Sequence, residues 1–246
     1  MKIEEKYGVS IHSTTLSNYY KQNRITYTKV KKSLSCAKSV EVLQQMRLEF
    51  IHTLMGQLNG GKDVLYMDET TTNLWDLRSR VWQHKDKKII CKLPSSRGTS
   101  VTIFGALSAD GNFSFKTGST TNKHTMLEFL KKMEGEEPLR GKVMVLDNHK
   151  AHYSNIVKDY INEKGLSLLF LPPGTSIFNP IETVWAMVKR RWTNNLLQSG
   201  VEKKNVDMKW MIENLNTICR LLPPDSLLNI SKIHFQDMRK FLDEIE

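Results

Sequence analysis

Residues 142–182 read KVMVLDNHKAHYSNIVKDYINEKGLSLLFLPPGTSIFNPIE, and the alternation within this segment decides the class of fold. KVMVL and LSLLFL are short apolar runs with no polar face, the pattern of strands buried on both sides. Between them Asn155 to Glu163 reads as a helix, and a further helix opens at Asn179. Strands separated by helices at these lengths imply a partly parallel sheet flanked by helices.

Upstream, DVLYMDET (63–70) is another apolar run, and RVWQHKDKKIICKL (80–93) and TSVTIFGALSADGNFSFKTG (99–118) read as extended. Asp110-Gly111 supplies a hairpin turn in the second of these. A helix follows from Lys123 to Lys132. The order β-β-β-α-β-α-β-α predicts an α/β fold with a mixed five-stranded sheet. Ahead of it, Val40, Leu43, Met46, Phe50, Leu54 and Leu58 recur at helical spacing, so Ser39 to Asn59 forms one amphipathic helix that Gly60 and Gly61 end. The tail from Val201 is helical and charged, broken at Pro223 and Pro224, and reads as an accessory pair of helices.

The first stretch, KIEEKYGVSIHSTTLSNYYKQNRI, reads as a short helix, a turn at Gly8 and Val9, and a second helix with Ser13 as N-cap. That is the outline of a helix-turn-helix, presenting Ser13, Thr14, Thr15, Ser17 and Asn18 outward with Leu16 and Tyr20 inward. Lys29, Lys31 and Lys32 then suit a phosphate backbone. A generic helical hairpin with a solvated basic face is the competing reading. The segments are therefore 1–38, a partial DNA-binding unit; 39–61, a connector helix; 62–200, the α/β domain; and 201–246, a helical extension.

Composition agrees with a polyanionic partner. The 246 residues carry 36 Lys+Arg against 26 Asp+Glu, a net charge of +10 with histidine neutral. No segment approaches the roughly 18 to 20 continuous apolar residues of a spanning helix, so no membrane role is expected. Three widely spaced cysteines, Cys36, Cys91 and Cys219, indicate neither a disulfide framework nor a thiolate zinc site.

Two apolar strands finish on a charge: DVLYM runs into Asp68 and KVMVL into Asp147. Alternation puts Asp68 on the face of Val64 and Tyr66, and Asp147 on that of Val143 and Val145. Sites in open α/β sheets gather at the carboxyl ends of parallel strands, so neighbouring strands would bring these acids to one edge. Carboxylates that close need a cation between them, and hard oxygen ligands select Mg²⁺ or Mn²⁺. A third acid would complete a site for two ions, about 4 Å apart, suited to in-line displacement at phosphorus. Glu182 is the candidate. It has a second reading, because Asn179 suits an N-cap, Pro180 the first helical position, and Glu182 the third residue of a capping box.

Asp147 and Glu182 are separated by 34 residues. With MDET, LDNHKAH and LPPGTSIFNPIETVW in that order, the chain resembles the mariner-type transposases and their bacterial insertion-sequence relatives, over roughly Val64 to Trp192. The resemblance implies a ribonuclease H-like fold and a DDE triad, with Asp68, Asp147 and Glu182 as the metal-binding acids. It implies two divalent ions, Mg²⁺ or Mn²⁺, and Mg²⁺-dependent cleavage at transposon ends followed by strand transfer. It also implies double-stranded DNA partners, namely inverted-repeat ends and target DNA at TA sites, and a homodimer or larger assembly. A nuclear location follows for a eukaryotic host, cytoplasm or nucleoid for a bacterial one. Family relatives carry two helix-turn-helix units where this chain has room for one, so a domesticated or truncated DNA-binding protein without transposition activity is the alternative.

Around the triad, Asn148 either holds Asp147 or ends its strand, and of His149 and His152 one lines the site near the scissile phosphate while the other orients a loop. His149 and His152 do not read as a zinc pair, given oxygen-rich neighbours. Asn179 supports the Glu182 helix, and Glu69 reads as a structural acid. Lys189, Arg190 and Arg191, beyond Glu182, and Arg78 and Arg80, after Asp68, are candidate phosphate contacts.

Overall fold

The computed structural model describes residues 8, 10–23, 39–74, 99–147, 154–198 and 206–243. The chain divides into two compact units, Met1–Ser39 and Val40–Glu246. In the first, helix α1 spans Ser13–Gln22. Its N-cap is His12 and not Ser13: the His12 backbone is extended, and Nδ1 accepts from the Thr14 amide at 3.4 Å and bonds Thr14 Oγ1 at 2.9 Å. Ser13, Thr14, Thr15, Ser17 and Asn18 are exposed, and Leu16 is half-buried. Tyr20, expected inward, is 47% exposed. The expected first helix lies outside the described residues, as do Lys29, Lys31 and Lys32.

The second unit opens with α2, Val40–Asn59. Its last turns are the buried part, through Phe50, Ile51 and Leu54. Gly61, at φ +80°, then ends it: the Lys62 amide donates to Gln57 O and the Gly61 amide to Leu58 O, which satisfies the free carbonyls of the last turn. Five strands follow in the chain: β1 Val64–Asn73, β2 Ser100–Ser108, β3 Phe113–Gly118, β4 Val143–Leu146 and β5 Ser167–Phe170. They form one sheet in the order β3-β2-β1-β4-β5. The β1–β2 and β2–β3 pairs are antiparallel, and β1–β4 and β4–β5 are parallel. This is the mixed sheet expected from the alternation of elements. The extended run expected over 80–93 lies outside the described residues.

Helices α3, Lys123–Glu136, and α4, Asn155–Lys164, cover one face of this sheet. Met126, Phe129, Leu130, Val157 and Ile161 pack there on Leu65, Met67, Met144 and Leu146. Asn122 starts α3 with a capping box closed by Thr125. The opposite face takes the α2 residues together with α5, Ile181–Gln198, α6, Met208–Arg220, and α7, Pro224–Asp243. Val64, Tyr66, Val143 and Val145 meet Phe50, Ile51, Leu54 and Met238. Further along that face, Val101, Ile103 and Leu107 of β2 meet Val184, Trp185 and Val188 of α5 and Met211 and Leu215 of α6. Strands covered on both sides explain the unbroken apolar runs.

The tail is therefore not an accessory pair. Met211, Leu215 and Met238 are fully buried, and the Ser231 hydroxyl donates to Ser108 O at 3.0 Å at the end of β2. Gly111 in the β2–β3 turn has φ +85°, and a Cβ there would lie 2.7 Å from the Leu228 amide nitrogen, so α7 seats directly on the hairpin.

His234 of α7 packs edge-on against Tyr66, centroids 5.1 Å apart, with Nε2 buried and without a partner. Burial holds the imidazole neutral and lowers its pKa from 6.5 to about 4, against the opposing pull of Asp237. The folded value lies below the unfolded one, so the unfolded chain binds the proton first. Stability should be full above about pH 6.5 and fall by up to about 3 kcal/mol as pH drops towards 4. Thermal melts across that range should show the loss, and His234→Phe should flatten it.

Candidate active site

Tyr66 pairs with Val145 in the parallel β1–β4 ladder. Continued two residues past that pair, the register sets Asp68 of β1 level with Asp147, just after β4, and alternation puts both on the same sheet face. Asp147 is the first residue past β4, and it is exposed. Asp68 lies inside β1 and is partly buried. The two aspartates thus owe their adjacency to strand register alone.

Glu182 reaches the same place from the other side. After β5 the chain runs through Pro172, Pro173 and Gly174, the last at φ +70°, into a 3-10 turn over Ser176–Phe178. Thr175 is buried, and its hydroxyl donates to Pro172 O at 2.5 Å, which closes this turn. Helix α5 begins two residues beyond Asn179, with the Glu182 amide donating to Asn179 O at 3.2 Å. The Asn179 side chain does not cap it. Its Nδ2 donates instead to Met67 O of β1 at 3.2 Å, and its Oδ1 is buried without a partner. Two more donors of α5 reach β1: Trp185 Nε1 to Asp68 Oδ2 at 2.9 Å and Trp192 Nε1 to Asn73 O at 3.2 Å.

Asp68, Asp147 and Glu182 consequently line one open groove, with Asn179 and the Pro172–Ser176 turn forming its wall. Burial pushes the Asp68 carboxyl up from 3.8 to about 7; the Glu182 and Glu69 charges add to this, and the Glu69 amide and the Trp185 indole oppose it. Among the described residues no three His, Cys, Asp or Glu side chains are close enough to hold a single ion as they stand. The groove nevertheless suits a hard divalent cation: its donors are oxygens, its charge is negative, and Asn179 Oδ1 is an unsatisfied buried acceptor in its wall.

The remaining expected residues are distributed as follows. Lys189 and Arg190 are exposed on α5; Lys189 lies on the stripe of Glu182, about 10 Å further along the helix, with Arg190 beside it. The Arg191 guanidinium donates to Leu221 O at 2.5 Å, just beyond the end of α6. Asn148, His149, His152, Arg78 and Arg80 lie outside the described residues. Trp185 and Gly105 are the residues that sequence reasoning passed over. A buried indole must place its N–H, and a glycine inside a strand marks a close approach, so both carried a signal.

Residues 63–202 match the family model of the DDE superfamily endonuclease. Among solved structures, the chain is similar to the Mos1 transposase paired-end complex with left transposon end, at 12% identity and a TM-score of 0.65 over 99% of this chain and 73% of that one. The Mos1 Strand Transfer Complex is similar at 11% identity, TM-score 0.64, over 98% and 72%. The catalytic domain of Mos1 mariner transposase alone gives 10% identity, TM-score 0.56, over 86% and 97%. No curated protein matches the chain in sequence. The sheet order and helical layers are thus those of the ribonuclease H-like fold in Mos1 transposase. With that model covering more than half of its length, the chain belongs to the DDE superfamily of endonucleases.

Proposed function

We propose that this protein is a transposase that uses Mg²⁺ or Mn²⁺, held by Asp68, Asp147 and Glu182, to cut DNA at transposon ends and transfer the strand to target DNA. The observation that supports the reading is that Asp68, Asp147 and Glu182 line one groove, beside the parallel β1 and β4 strands. Mos1 structures containing Mg or Mn and transposon-end DNA support it by analogy of fold.

Bound divalent ions would supply an activated water or 3′ hydroxyl and neutralise charge developing at phosphorus. The protein's part is to bind and orient. Asp68 would present its oxygens from β1, Asp147 from the residue that follows β4, and Glu182 from the first turn of α5. Little proton transfer is asked of side chains, which suits a groove lined by carboxylates. Lys189 and Arg190 would hold backbone phosphates about two nucleotides from the scissile bond. The polar face of α1, with Ser13, Thr14, Thr15 and Asn18, would read DNA as part of a helix-turn-helix, together with Lys29, Lys31 and Lys32. Pairing of two ends calls for a dimer or larger assembly, and a eukaryotic host for nuclear location.

Three outcomes are expected. Linear DNA carrying the element's inverted repeats should be nicked in Mn²⁺, and Asp147→Asn should reduce the rate by on the order of a thousandfold; equal rates for the two proteins would remove the reading. In EDTA at pH 8, Asp68→Asn should melt higher than wild type, by on the order of 2 kcal/mol, because it relieves a partly buried carboxylate repelled by Glu182. Joint Lys189→Ala and Arg190→Ala substitution should lower the slope of log affinity against log salt by about two, measured by fluorescence anisotropy on DNA.

A further inference from the structure

Asp68 stands opposite Gly105 in the β1–β2 pairing. Paired residues project to the same face, so the sheet beside this carboxylate carries no side chain of its own. The Trp185 indole occupies that place: a Cβ on Gly105 would lie 2.4 Å from Trp185 Cη2 and 2.9 Å from Cζ2. Phe113 of β3 closes the other side edge-on, with ring centroids 5.9 Å apart. Thus seated and 3% exposed, the indole donates Nε1–H to Asp68 Oδ2 at 2.9 Å. A buried indole needs an acceptor, and a neutral carbonyl would satisfy it, as Asn73 O does for Trp192. Here the acceptor is the carboxylate on the central strand.

We propose that Trp185, seated on Gly105, is a positioning residue for Asp68, fixing one carboxylate oxygen by a charge-assisted hydrogen bond so that the remaining lone pairs meet the divalent cation in one orientation. The inference rests on the metal-dependent reading above and adds to it a donor that the three acids do not include. Glu182, a like charge across the groove, would otherwise rotate the Asp68 carboxylate away. A partner that orients a ligating carboxylate acts through metal affinity as well as rate. Gly105 has its own part, since any larger residue moves the ring that carries the donor.

The test uses the 246-residue chain, with Mn²⁺ affinity by calorimetry, Mn²⁺ dependence of DNA nicking, and thermal melting. Trp185→Phe removes the N–H together with part of the ring that lies over Gly105, and thermal melting reads that packing loss apart from the Mn²⁺ affinity. The substitution should weaken Mn²⁺ binding by about 10- to 100-fold, with nicking recovering in part at high Mn²⁺. Gly105→Ala should move affinity in the same direction, and the double variant should be no weaker than Trp185→Phe alone, because both act through one bond. Trp185→Phe with wild-type Mn²⁺ affinity and wild-type Mn²⁺ dependence, whatever its melting temperature, would overturn the inference and leave Trp185 a packing residue. Should Gly105→Ala fail to fold, Trp185→Phe decides alone. Wild-type protein that binds no Mn²⁺ would bring down the metal reading itself, and this inference with it.

Discussion

The structure depends on three directional bonds between one helix and one strand. Asn179, Trp185 and Trp192 of the α5 segment donate to Met67 O, Asp68 Oδ2 and Asn73 O of β1. Apolar contact alone lets a helix slide or rotate over a sheet, whereas hydrogen bonds of fixed length and angle set its register. Glu182 lies three residues after the first anchor and three before the second. Each anchor is within one turn of it, so the position of its backbone is determined on both sides.

That register creates a conflict which the remaining fold has to absorb. It brings Glu182 against Asp68, whose carboxyl is already raised by burial among core residues. Such opposition is ordinary at functional sites, where a charged group is kept in surroundings that do not favour it. Core on both faces of the sheet holds the strands in place regardless: Tyr66 and Met67, the two residues before Asp68, are both fully buried, on opposite faces. The C-terminal helices contribute to this. Through Met211, Leu215 and Met238 they complete the face on which the acids lie.

Much of this was legible in the sequence for a physical reason. A strand covered on both faces must be apolar at every position, so VLYM and VMVL stand out; the charge after VMVL marks the end of β4, whereas the one after VLYM lies inside β1, which runs on to Asn73. The level placement of Asp68 and Asp147 follows once those strands are neighbours. What the sequence could not disclose are contacts whose cause lies far away in the chain. Trp185 looks like one more apolar residue of an amphipathic helix, and its acceptor is 117 residues distant. Arg191 carries no local sign that its guanidinium bonds Leu221 O, 30 residues away. The tail looked accessory because its charge pattern records only its outer face. His12 displaced Ser13 as a cap because a ring nitrogen can accept as a hydroxyl does.

Asn-Pro-Ile-Glu carries the same lesson at the level of single atoms. Read locally it is a capping sequence, and Asn, Asp and Ser cap almost equally well. In the fold the cap is left to the Asn179 backbone, whose carbonyl accepts from the Glu182 amide, while the side chain is released to bind β1. The three residues are then no longer equivalent. Aspartate has no N–H to give Met67 O and would add a fourth negative charge to a groove that already strains to hold three. Serine is too short to span from helix start to strand and still leave an acceptor over. Asparagine alone of these donates to the strand, keeps an oxygen in the wall of the groove, and brings no charge. The motif is therefore a joint between helix and strand, and the placement of Glu182 is its consequence.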